Sequence, residues 1–103
     1  MFGALLKESD DLAFTKGAEV DIKVSSLLRI QEAEGLEKHR DLAQLFYVVR
    51  TFLEDWCRGN IKGKWRAHRE IIYPPEESSE EVLRFAFVSR REAVRFKLTW
   101  GGV

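Results

Sequence analysis

The hydrophobic positions along this chain change period several times, and each change predicts an element. Glu19-Val-Asp-Ile-Lys-Val24 alternates polar and apolar, with Val20, Ile22 and Val24 on one side, the pattern of a half-buried strand. The same parity continues at Leu28 and Ile30, so the strand either runs on or gives way to a second short element from Ser25. Gly35 then punctuates. After it Leu36, Leu42, Leu45, Phe46, Val49, Phe52, Leu53 and Trp56 recur at three- and four-residue spacings, which predicts one long helix with a broad apolar face. Glu37, Lys38, Arg40, Asp41, Arg50 and Glu54 mostly lie off that face, and Gly59-Asn60 is a natural stop.

The second half returns to period two. Trp65 to Tyr73 reads as a strand closed by Pro74-Pro75, and residues 76–81 as a solvated acidic loop. Leu83, Phe85 and Phe87 alternate with Arg84 and Ala86 as a second strand. Ser89 followed by Glu92 has the spacing of a capping box, and Gly101-Gly102 can stop the helix so begun. Val94, Phe96, Leu98 and Trp100 also alternate, which fits a strand with residues 89–92 as a hairpin loop. That loop lacks the Gly, Asn or Pro that tight hairpins favour, so the helix is preferred. Residues 1–16 carry Phe2, Leu5, Leu6, Leu12 and Phe14, broken by Glu8-Ser-Asp-Asp11, and read as strand or helical turn alike.

This order predicts an α+β fold in a single globular domain over residues 1–103. The expected architecture is a two-layer sandwich of ferredoxin-like type, three to four strands with one long and one short helix. Val20, Ile22, Leu83, Phe85 and Phe87 should line the inner face of the sheet, against Leu45, Phe46, Val49, Phe52 and Leu53.

The ending carries a resemblance. Phe85-Ala-Phe87, followed by Ala93-Val-Arg-Phe-Lys-Leu-Thr-Trp-Gly-Gly102, resembles the close of small uncharacterised tailed-phage proteins. In those an aromatic strand is followed by an acidic turn, an Ala and a Phe-Lys-Leu-x-Trp/Phe-Gly ending. The likeness covers residues 83–102, about the last fifth of the chain, and departs from the pattern where Ser89-Arg-Arg91 makes the turn basic. It implies a phage origin and a strand–helix ending, and brings no activity and no functional residue with it.

Composition narrows the function classes. At 103 residues there is room for one core. Seventeen basic and 17 acidic residues balance, so no global field directs the chain to nucleic acid or anionic lipid. A lone Cys57 excludes an internal disulfide and a multi-cysteine zinc site. No apolar run approaches the roughly 20 residues of a membrane helix, and residues 1–8 lack the basic leader and long apolar core of a signal peptide. A cytoplasmic chain with no membrane association is expected.

The chemical candidates are few. Gly59-Asn-Ile-Lys-Gly-Lys64 suggests a phosphate loop, but its spacing is one residue short, Trp65 replaces the Ser or Thr, and a helix precedes it. Cys57 ends the long helix, where the dipole raises a thiol pKa, so a structural role is expected. His39 and His68 fall in different elements, and Asp10-Asp11 and Glu80-Glu81 read as loop charges rather than acid–base pairs; no metal, cofactor or catalytic residue is assigned.

Two binding readings remain. Three tryptophans and seven phenylalanines exceed what a small core readily buries. The surplus predicts a non-enzymatic domain that contacts another protein, itself or a different one, with Trp65 and Trp100 as contact residues. The alternative is nucleic-acid binding through the basic stretch 58–69, using Arg58, Lys62, Lys64, Arg66, Arg69 and, from the sheet, Arg84. Lys23, Arg66, His68 and Arg84, with Asp21 and Glu70 beside them, should give the open sheet face a net basic character without the stacking aromatics of RNA-recognition sheets.

Overall fold

The central strand is the most apolar one. In the computed structural model, which describes residues 18–38, 41–75 and 78–101, β3 (Glu80–Phe87) pairs antiparallel with β1 (Glu19–Lys23) on one side and β2 (Trp65–Ile72) on the other. The order is β1-β3-β2. β1 and β2 therefore run parallel with β3 between them, a split βαβ connection. Val82, Leu83, Phe85, Ala86 and Phe87 of β3 are all buried, as a strand flanked on both edges should be.

The register sorts the side chains. Val20 and Ile22 of β1 lie opposite Phe85 and Leu83, and Trp65 and Ala67 of β2 lie opposite Phe87 and Phe85. This inner face joins one core cluster with Leu45, Phe46, Val49, Leu53 and Cys57 of the long helix and with Ala93 and Phe96 of the last one. Phe96 is the hub of an aromatic group: its ring lies 4.7 Å from Phe85, 5.2 Å from Phe87 and 5.9 Å from Trp56. Phe52, expected among the buried residues, is half-buried and turns its ring to Trp100 instead.

Among the described residues there are three α-helices, one more than the sequence pattern predicted. α1 (Val24–Ala33) begins where β1 ends. The parity through Leu28 and Ile30 is not a continued strand, because a strand would turn Leu27 away from the face holding Ile30. The helix brings Leu27 and Ile30 together into the core and leaves Leu28 half exposed. α1 closes in a Schellman motif: Leu36 N–H donates to Gln31 C=O and Gly35 N–H to Glu32 C=O. Gly35 takes φ +63°, the left-handed value that the motif needs and that a side chain disfavours.

The long helix α2 (Leu42–Asn60) starts later than the spacing predicted. Leu36 packs on the core from the turn after α1 rather than from α2. Asp41, read as a polar-face residue, is the N-cap and accepts from Ala43 N–H at 2.8 Å. Glu80 and Glu81 are the first residues of β3 rather than a loop, and Glu81 accepts a hydrogen bond from Arg69 across the ladder. The helical reading of the ending holds: α3 (Arg90–Phe96) runs into a π-helical turn over Lys97–Gly101. The readings made for residues 1–16, His39, Glu76, Glu77 and Gly102 lie outside the described residues.

Candidate functional site

The six residues named for nucleic-acid contact fall on four parts of the molecule. Strand alternation sends Arg66 to the outer sheet face and Arg69 to the inner one. There Arg69 lies over the Phe46 ring at 4.5 Å and donates to Glu81 at 2.5 Å. Arg58, at the end of α2, pairs with Asp55 at 2.6 Å and sits 6.0 Å over the Trp65 ring. Lys62 and Lys64 lie in the α2–β2 loop. Arg84 grips Asp21 with two hydrogen bonds of 2.7 and 3.0 Å, and Glu19 and Glu70 each stand 3.7 Å away. The Asp21 bond holds the Arg84 guanidinium still further toward its charged form. The outer face is not net basic: Glu19, Asp21, Glu70 and Glu80 share it with Lys23, Arg66 and Arg84, and His68 contacts Glu70 at 3.1 Å. Cross-strand pairing of opposite charges explains the balance.

The loop that resembles a phosphate loop already holds an anion. Ser89 caps α3 by accepting from Glu92 N–H at 3.3 Å, half of a capping box. The Glu92 carboxylate does not return to Ser89. It reaches the loop and accepts from the N–H groups of Lys62 and Gly63 at 2.7 and 3.2 Å. One turn on, Arg95 donates to the Asn60 carbonyl and side-chain oxygen at 3.2 and 3.3 Å. α3 is thereby clasped to the α2–β2 loop. A Cβ at Gly63 would meet Glu92 Oε1 at 2.8 Å, so any side chain there would push the carboxylate aside.

Cys57 is inert by position. It is fully buried in the core, and burial first, then the Glu54 carboxylate, pushes its thiol from 9.0 up to about 12. Ellman's reagent is expected to label it only after unfolding. The unfolded thiol ionises near its ordinary value, so stability is intact below about pH 9 and falls as pH rises toward 12. A Cys57→Ala variant should lose that alkaline component, and its persistence in a urea titration series at rising pH would contradict the assignment.

The two tryptophans proposed as contacts are half-buried. Trp65 stacks on Phe85 at 6.3 Å and 29°. Trp100 stands perpendicular to Phe52 and Trp56, at 5.4 and 6.0 Å, and its buried indole N–H has no hydrogen-bond acceptor among the described residues. Such edge-to-face geometry lets an N–H point at a π face. The strongly exposed apolar side chains are others: Tyr47, Tyr73, Val94 and Leu98 among them.

Trp100 does line a cleft of about 520 Å³ between α1 and the C-terminal turn. Ile30, Ala33 and Trp100 give it apolar walls, and Ser26 and Thr99 add hydroxyls. Arg29, Glu32 and Glu34 stand around it. Their side chains find no hydrogen-bond or ion-pair partner among the described residues. Only Trp100 of this group was foreseen. The signal for the rest is the three-residue spacing of Leu27, Ile30 and Ala33, hidden because the same stretch also satisfies a strand parity.

Among the described residues no set of three or more His, Cys, Asp or Glu side chains converges on a metal position, and no helix is long and apolar enough to cross a membrane. Searched against family models, curated proteins and solved structures, the chain gives no match.

Proposed function

We propose that this is a non-enzymatic protein-binding domain whose contact surface is the cleft between α1 and the C-terminal turn, with Trp100 as its wall. The observation that carries the reading is the ring of charges, Arg29, Glu32 and Glu34, that stand around apolar walls without a side-chain partner among the described residues. An apolar centre with a polar rim is the anatomy of a protein contact. The likeness of residues 83–102 to tailed-phage endings would make the domain a phage accessory protein. We read the architecture as a ferredoxin-like two-layer sandwich; the β1-β3-β2 order with β1 and β2 parallel supports that.

The test is a nuclease-treated pull-down comparing three proteins. A protein partner is expected on the parent chain, absent from Ala33→Glu, and kept by the Lys62→Glu/Lys64→Glu variant. Salt-sensitive binding of short DNA or RNA that the double lysine variant abolishes would instead put nucleic acid first.

A further inference from the structure

We propose that the occupant of the cleft is a second copy of this chain, whose exposed Leu98 enters it as a knob. The inference rests on the protein-binding reading above and names the partner. Leu98 is 81% exposed and Val94 55%. Four residues apart on α3 and the turn after it, they form one apolar stripe on the side of the helix away from Ala93 and Phe96. Thr99 and Trp100, the next two residues, wall the cleft. Each molecule thus carries an apolar knob directly beside an apolar hole.

That juxtaposition suits a two-fold axis. In an isologous dimer one patch serves both molecules, so the Leu98 of each can enter the cleft of the other and the contact closes on itself. Charge selects this arrangement over knob against knob. Arg91 and Lys97 flank the knob, and Glu32 and Glu34 stand at the cleft; all four are exposed and have no side-chain partner among the described residues. Docking knob into cleft brings these cations to these carboxylates. Knob against knob would set Arg91 and Lys97 against their own copies. Arg29 is the one like charge at the rim, and Glu32, three residues on along α1, offsets it. A formal charge of zero means that no global repulsion opposes self-association.

Sedimentation velocity over a concentration series should show a monomer–dimer equilibrium for the parent. Leu98→Glu should raise the dimer Kd at least about thirtyfold, the scale of losing a central apolar anchor. Its circular dichroism should be unchanged, because the side chain is already in solvent. Lys97→Glu and Glu32→Lys should each weaken the dimer, up to about fivefold per exposed pair. Mixing these two variants should restore parent affinity, since in the mixed dimer both contacts again join opposite charges. A parent that stays monomeric at every concentration, a dimer indifferent to Leu98→Glu, or a mixture no tighter than its components would each overturn the proposal. A monomeric parent that still captures a different protein, lost with Ala33→Glu, would remove the second copy and leave the protein-binding reading standing; loss of both behaviours would remove both.

Discussion

Phe85→Ala is expected to lower the free energy of unfolding by about 3–5 kcal/mol, the range for deleting a buried aromatic. Phe85 is fully buried at the centre of β3, with Trp65 stacked on one side and Phe96 at 4.7 Å on another. Truncation leaves a cavity that its neighbours cannot close, because Phe96 is itself held by Phe87 and Trp56. Phe96→Ala should cost a similar amount. The double variant should cost less than the two together, since each ring supports the other. Urea unfolding of the four proteins checks this. A loss below about 1 kcal/mol for Phe85→Ala, the scale of ordinary surface changes, would mean that the sheet does not pack as described.

Glu92→Ala is expected to cost about 1–2 kcal/mol, more than its half-buried position alone suggests. The carboxylate joins elements thirty residues apart, accepting from Lys62 N–H and Gly63 N–H. Its loss frees the α2–β2 loop as well as removing two charge-assisted bonds, while water can reach the freed N–H groups and limits the penalty. Gly63→Ala should cost nearly as much, because the added methyl would stand 2.8 Å from Glu92 Oε1 and push the carboxylate off the loop. In a Glu92→Ala background the same glycine change should be almost neutral. That non-additivity, read by denaturant melts and by hydrogen exchange of the Lys62 and Gly63 amides, is the signature of the clasp. Two independent, additive costs would refute it.

Local pattern determined a good deal of this protein. The alternation from Glu19, the spacing from Leu36 to Trp56, which holds from Leu42 on, and the Ser89–Glu92 cap each appear in the structure as strand, helix and helix start. These features are set by side chains a few residues apart, so the chain alone carries them. Pattern failed where two periods fitted one segment. Leu28 and Ile30 continue the strand parity of β1, while Leu27 and Ile30 share a helical face, and the need to bury Leu27 and Ile30 together selected α1. The cleft, one wall of which is α1, was lost with it.

What joins distant segments was decided by the tertiary structure. Nothing near Glu92 in sequence says that it will pass over Ser89 to hold Lys62 and Gly63, and nothing near Arg84 names Asp21, sixty-three residues earlier, as its partner. The basic stretch 58–69 looks continuous along the chain, yet strand alternation divides it, Asp55 pairs with Arg58 along the helix and Glu81 with Arg69 across the ladder. The physical reason is one of range. Helix and strand preferences are fixed by neighbours within a turn or two, whereas charge balance, burial of the tryptophans and the shape of a cleft depend on which surfaces the sheet register brings face to face.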